Sequence, residues 1–408
     1  MTQQPTEPGT ASGGDLLPEL RARVHEIEDL VLDTSHQIHA KPEIRFQEHF
    51  ASDLLARRLR EHGFTVTSGI AGLPTAFVGR HREPAGPGPT IAFLCEYDAL
   101  EEIGHGCGHN VIAAAGLGAA LATKRWLDDN PGVAGSAVVL GTPAEEGGGG
   151  KIPLIESGYL DGIDAALMLH PAGENLSQMT TLARAAFDVV FTGRAAHAAV
   201  SPEEGVNALD AATLTLSAIG LLRQQLPPDA RVHGIVTDGG QAPNIIPERT
   251  SLRFYVRSPD TRYLRDRLLP AVENCARGAA LATGAEVTIS QQAPTYAALR
   301  PNPVLGRMIE DNFALLGRET VPLLDSAFPG STDMGNVSEV VPAAHPNIEF
   351  VPGLTMHSHN AAELAGGEVG DRAALDGATL LALTAAQLFS SEELVSDVRA
   401  AFVPAATE

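Results

Sequence analysis

Cys95 to Asn110 reads CEYDALEEIGHGCGHN. An apolar run from Thr90 to Leu94 leads into it, and an alanine- and glycine-rich apolar run from Val111 to Ala122 follows. The polar stretch therefore sits where a strand hands over to a helix, the place where open α/β sheets carry their chemistry. Cys107 and His109 flank Gly108, and Gly106 and Gly108 remove side chains that would crowd them. Such a bend aims two donors at one point.

Two more strands end in polar clusters. Ala137 to Leu140 runs straight into GTPAEEGGGGK, Gly141 to Lys151, and Ala165 to Leu169 ends in His170 and Pro171. Three strands delivering polar groups at one sheet edge predict an α/β catalytic domain. Upstream, apolar residues at helical spacing predict a helix from Leu17 to Ala40. HAKPEIRFQE, His39 to Glu48, then reads as a turn into a second helix, Phe46 to His62. Phe64 to Val66 and Thr75 to Val78 read as short strands, and His81 to Pro89 as a Pro- and Gly-rich loop.

The texture changes after Met179. Strand, helix, two strands, helix and strand follow in turn, from Leu182 to Gln292. That order is the ferredoxin-like split pattern, inserted whole between parts of the first domain. The expected fold is α/β, a central sheet flanked by helices, with an inserted ferredoxin-like α+β domain whose solvent-facing surface is a natural dimerisation site. Its expected boundaries are a disordered tail over 1–15, a catalytic domain over 16–181 and 298–408, and the inserted dimerisation domain, for which the resemblance described below implies a lid, over 182–297. Pro301 to Leu316 resumes as a helix, and a C-terminal helix, about Gly370 to Leu394, closes the fold.

Composition narrows the classes of partner. The 28 basic against 50 acidic residues give a formal charge of -22, which disfavours nucleic acid and anionic membranes. Three cysteines in unrelated contexts build no disulfide framework, and a reducing, cytoplasmic setting fits them. Met1 to Asp15 lacks a basic stretch followed by an apolar core, and apolar runs elsewhere are interrupted before membrane-spanning length.

The candidate metal ligands are Cys107, His109, Glu146, His170 and His357, about the number of donors that two close ions need. Glu145 and Glu146 are adjacent carboxylates, suited to one binding metal and the other moving a proton between water and a leaving nitrogen. Cys107 read as a covalent nucleophile would need His105 or His109 as its base.

These stretches resemble the M20 metallopeptidase family, in particular its amidohydrolase branch of aminoacylases, indole-acetyl-amino-acid hydrolases and aminobenzoyl-glutamate hydrolases. The resemblance runs from about His36 to Ala386. It rests on EYDALEEIGHGCGHN, TPAEEGGGGK, FTGRAAHAAVSPEEGVNALDA, QAPNIIPE and STDMGNVS taken in order. It implies a dinuclear zinc or manganese hydrolase of amide bonds, with a smaller lid domain that also dimerises. By the same resemblance Cys107, His109, Glu146, His170 and His357 bind metal and Glu145 is the general base. His357 is chosen over His359 of MHSHN because a serine follows it. The chain departs from the family's usual Ala at Gly106 and usual Asp at Asn110.

In the lid, the resemblance sets His197 near the scissile carbonyl, as an oxyanion donor. Asn244 and Arg253 are associated with a substrate carboxylate or carbonyl, although Arg253 on its strand is equally suited to meeting Asp188. Asp98 is expected to orient a metal-site residue or to cap a turn, and Asp333 to play a similar supporting part. The function expected is hydrolysis of the amide of N-acyl or aminoacyl amino acids, on a small carboxylated substrate, by a homodimer. The alternatives are a dipeptidase or carboxypeptidase of the same family, or a non-catalytic small-ligand-binding protein.

Overall fold

The computed structural model describes residues 12–82, 88–322 and 330–402. They form two compact units. The first comprises the described residues up to Thr180, from Leu299 to 322 and from Asn336 to 402; the second comprises Thr181–Ala298 with 330–335.

In the first unit a six-stranded sheet is built from β1 (Thr65–Ser68), β2 (Phe77–His81), β3 (Thr90–Cys95), β4 (Ser136–Gly141), β5 (Ala165–Leu167) and a late strand, Ala343–Ala344. The order is β1-β2-β4-β3-β5 and then the late strand. β3, β4 and β5 are parallel neighbours, with Cys95 opposite Gly141 and Phe93 opposite Leu167, so their C-terminal ends share one edge. All three are buried along their length, as continuous apolar runs covered by helices on both faces must be. The helix His109–Asp129 packs on this sheet with every residue from His109 to Thr123 buried.

The chain runs on past β5, with Met168 N–H donating to Ala344 O and His170 N–H to Pro346 O. It then changes partner, so that β6 (His170–Ala172) pairs in parallel with Asn347–Glu349 in a separate two-stranded sheet. His170 thus opens a new strand instead of closing β5.

The N-terminal helix expected as one piece is two, Gly13–His25 and Glu28–Ala40. Val24, Ile27 and Val31 are buried on both sides of the break, so the hydrophobic period passes through it unbroken. The expected tail over 1–15 also ends early, because the Asp15 carboxylate accepts from both the amide and the hydroxyl of Ser12 and so starts the helix. Residues 1–11, part of the His81–Pro89 loop and 323–329 lie outside the described residues.

The helix Glu368–Ser390 is long and apolar enough to cross a membrane by length and composition, yet its side chains from Ala378 to Ala386 are buried in the core. It packs against the helix His109–Asp129, as the core helix of a globular domain does.

The second unit is an antiparallel sheet in the order β10-β7-β9-β8, from β7 (Ala183–Thr192), β8 (Arg231–Asp238), β9 (Arg249–Ser258) and β10 (Glu286–Tyr296). Helices Ala208–Leu222 and Leu269–Thr283 cover one face and form with it a core of their own. Fourth strand, first, third, second is the ferredoxin-like order, as the element sequence predicts.

Candidate metal centre

Four segments converge in the first unit. Cys107 lies just before the helix that His109 opens, Glu145 and Glu146 follow β4, His170 opens β6, and His357 precedes the helix His359–Ala365. Gly108 has φ +75, and a Cβ there would lie 2.8 Å from Pro171 Cγ, so only glycine turns the chain between the two donors. At Gly106 a Cβ would lie 2.6 Å from Ile103 Cγ2. This accounts for the chain's departure from alanine at that position.

The donor atoms close on each other. Cys107 Sγ is 3.3 Å from His170 Nε2 and 3.2 Å from His357 Nε2, and His357 Nε2 is 3.3 Å from Glu146 Oε1. Three sets of ligand atoms each fit within 4.8 Å: Cys107 with His109 and His170, Cys107 with Glu146 and His357, and His109 with Glu145 and Glu146. Cys107 is common to the first two sets. His359 belongs to none among the described residues.

Hydrogen bonding fixes which ring nitrogens are available. Asp98 Oδ1 lies 3.1 Å from His109 Nδ1, and Pro171 O lies 2.7 Å from His170 Nδ1. A carboxylate and a carbonyl only accept, so both Nδ1 atoms carry a proton and the Nε2 atoms are the ones left to face a metal. His109 Nε2 and Glu146 Oε1 are buried with no hydrogen-bond partner among the described residues, which suits both atoms to a cation.

Asp98 ties the site together. Its Oδ1 also accepts from Glu145 N–H at 3.1 Å, and its Oδ2 from Glu146 N–H at 2.9 Å. Burial works to raise its pKa, but the His109 charge and these hydrogen bonds hold it below the usual carboxylate range. Burial works the other way on His109, where Asp98 and Cys107 outweigh it and raise the ring's pKa. Burial, and next the Glu146 carboxylate, push the Cys107 thiol well up, so a cation is what would make it a thiolate. Burial and the His109 charge lower His170 to about 4, which keeps it neutral as a ligand must be.

Three neighbours were not picked out from the sequence. Glu96 and Lys151 form a fully buried ion pair, and Glu96 Oε2 comes within 3.5 Å of His109 Nε2. The ring of His345 meets that of His170 edge-on at 5.7 Å. Lys151 carried a signal: it directly follows the glycine run and is one of only three lysines in a chain that otherwise uses arginine.

The remaining candidates belong to the second unit. His197 Nδ1 accepts from Ala199 N–H at 3.2 Å, which leaves Nε2 as the donor nitrogen of an exposed side chain. Its loop is zipped to that of Asn244, with Ala198 N–H donating to Asn244 O and Ile246 N–H to Ala196 O. Asp333 is buried within this unit. Arg253 pairs with Asp188 directly across the β7/β9 ladder, at 2.8 and 3.0 Å, and so takes the second of the two parts its strand allowed. Sequence reasoning passed over Arg184. It is 8% exposed, its guanidinium lies 4.4 Å from the Tyr296 ring centre and 5.3 Å from that of Tyr255, and its Nε and Nη2 have no hydrogen-bond acceptor among the described residues.

Fold and donor set together define a class, the metal-dependent hydrolases with a candidate dinuclear centre. The model of peptidase family M20/M25/M40 matches residues 87–370, and the chain belongs to that family. It is 40% identical to the Xaa-Arg dipeptidase of Mus musculus, over 98% of this chain and 96% of the relative. Among solved structures, a putative aminohydrolase from methicillin-resistant Staphylococcus aureus superposes with a TM-score of 0.75 at 20% identity, over 92% of this chain and all of that one. A dinuclear metal-binding M20 peptidase from Bacillus subtilis superposes with a TM-score of 0.62 at 20% identity, over 86% and 98%.

Proposed function

We propose that the chain hydrolyses the amide bond of a small dipeptide or N-acyl amino acid at a centre of two divalent ions, zinc or manganese. The observation that carries this reading is Cys107, common to two ligand sets whose remaining members are His109 and His170 on one side and Glu146 and His357 on the other. Thiol, imidazole and carboxylate donors suit zinc first and admit manganese. When bound, such ions polarise the scissile carbonyl and acidify water.

The chain's own residues do the rest. Glu145 takes the proton of the attacking water and returns it to the departing amine nitrogen. Asp98 holds the backbone of Glu145 and Glu146 and the ring of His109 through one carboxylate, so base and ligands move as a unit. His197 offers Nε2–H to the developing oxyanion, with Asn244 as a further substrate contact. Arg253, paired with Asp188, gives up the carboxylate contact expected of it. Asp333 keeps its supporting part.

Within this class a dipeptide ending in a basic residue is favoured. The 40% identical Xaa-Arg dipeptidase matches over nearly its whole length, and the formal charge of -22 draws a cationic substrate. A homodimer through the second unit and a cytoplasmic setting, which keeps Cys107 reduced, belong to the same proposal.

The test is a panel of alanyl-arginine, alanyl-lysine, alanyl-alanine, N-acetyl amino acids and aminobenzoyl-glutamate, offered to the zinc- and the manganese-loaded chain. kcat/KM for the basic dipeptides is expected to exceed that for alanyl-alanine by about 10-fold or more. A preference for acyl or acidic substrates would turn the reading toward the aminoacylase type. Glu145→Gln is expected to lose roughly 100-fold or more in kcat with its metal retained; full turnover would remove Glu145 as the base.

A further inference from the structure

The turn HAKPEIRFQE takes no part in the chemistry above, yet it touches both motifs that do. Glu43 O accepts from Ala99 N–H at 2.8 Å, one residue after Asp98. At the other end of the turn, Glu48 Oε1 accepts from Ala144 N–H at 2.9 Å, one residue before Glu145. Arg45 Nη1 donates to Glu146 O at 3.3 Å, and a Cβ on Gly148 would lie 2.7 Å from the Phe46 ring. Glu48 itself is fully buried, with Oε1 also accepting from Phe46 N–H and Oε2 from Thr75 Oγ1.

The two backbone groups that share Glu48 Oε1 are unusual in the same way. Phe46 has φ +62 and Ala144 has φ +61, left-handed conformations that a non-glycine residue rarely adopts. Such a conformation persists only where its surroundings hold it from several sides. Ala144 is held at its N–H by Glu48 and at its C=O by the N–H groups of Gly148 and Gly149, at 3.0 and 2.8 Å. The consequence lies in the next two residues, where the N–H groups of Glu145 and Glu146 both turn onto Asp98. Three consecutive amides, 144 to 146, thus end on two buried carboxylates. Remove the acceptor at Ala144 and its buried N–H is orphaned, which favours return of the residue to the right-handed region and swings both glutamates.

We propose that Glu48 is a positioning residue for the catalytic loop, acting through Ala144 N–H to set the direction of Glu145 and Glu146. This rests on Glu145 being the general base. What Glu48 supplies is an acceptor at the right reach, so geometry and not charge is the property that matters.

Two variants separate these properties. Glu48→Gln loses the charge and keeps the reach; Glu48→Asp keeps the charge and falls one methylene short of Ala144. With the zinc-loaded chain and alanyl-arginine, Glu48→Gln is expected within about 3-fold of the parent kcat. Glu48→Asp is expected to lose roughly 10- to 100-fold in kcat at little-changed KM. Both are expected to bind two metal ions per chain, Glu48→Asp more weakly by chelator competition because Glu146 shifts. The reverse order, or parental kcat and metal affinity in Glu48→Asp, overturns the proposal. If Glu48→Asp does not fold, a kcat loss beyond about 10-fold in folded Glu48→Gln overturns it alone. Glu145→Gln, assayed alongside, keeps the two readings apart: its full turnover removes the base, whereas a dead Glu145→Gln with a reversed Gln and Asp order removes only Glu48.

Discussion

Asp98 shows how much of this centre depends on single acceptors. Three donors from two segments, His109 Nδ1–H and the amides of Glu145 and Glu146, fill two carboxylate oxygens. Asn in its place offers one oxygen and one NH2 group, so at least one donor is stranded. Asp98→Asn is therefore expected to weaken metal binding by roughly 10- to 100-fold in a chelator titration, and parental affinity would contradict the ordering role. Glu48 gives a second prediction, for the metal-free chain. Its carboxyl is pushed up to about 7, by burial first and the Asp98 charge second, from an ordinary value of 4.5. The folded state thus keeps a proton that the unfolded chain has released, a stabilising term complete below about pH 4.5 and lost by about pH 7. Denaturant unfolding of the metal-free chain should show a fall in stability across that window that Glu48→Gln reduces; equal slopes would contradict it.

At the scale of elements, the helix His109–Asp129 is fastened by its second residue. Asn110 Nδ2 donates to Ser35 Oγ at 2.9 Å and to Ala365 O at 2.8 Å, from a fully buried position. An aspartate would bring a carboxylate against that carbonyl with no proton to share, so Asn110→Asp is expected to cost about 2–4 kcal/mol in chemical unfolding. No loss would mean that the side chain can turn away. The structure thereby accounts for the asparagine that departs from the family's usual aspartate. Much at this scale was legible: β3, β4 and β5 announced themselves as apolar runs, and the donors lie on the segments that follow them, because burial and the polar clusters after each run are both written locally. The break at Ile27 was not, since burial continues through it. Nor was the partner change at His170, which depends on strands nearly 180 residues later. Arg184 and Glu48 stayed hidden for a like reason, because a lone charged residue announces no partner until the fold supplies one, or withholds it.

On the scale of the whole molecule, an antiparallel unit sits in the sequence between the halves of an α/β unit, and the order of elements alone identified both. β8 is the edge strand of the second unit's sheet, with Ile235 62% and Val236 46% exposed. An apolar edge of this kind is a template for a second copy. Under the homodimer proposed above, Ile235→Glu should shift the mass seen by light scattering from dimer to monomer, and an unchanged dimer would place the interface elsewhere. The central claim concerns the other unit, where one thiol serves two ligand sets. Metal content after dialysis tests it most directly. The parent chain is expected to hold two ions, His197→Ala to keep both, and Cys107→Ala to fall below one. Two ions retained in Cys107→Ala would contradict a centre built around that residue.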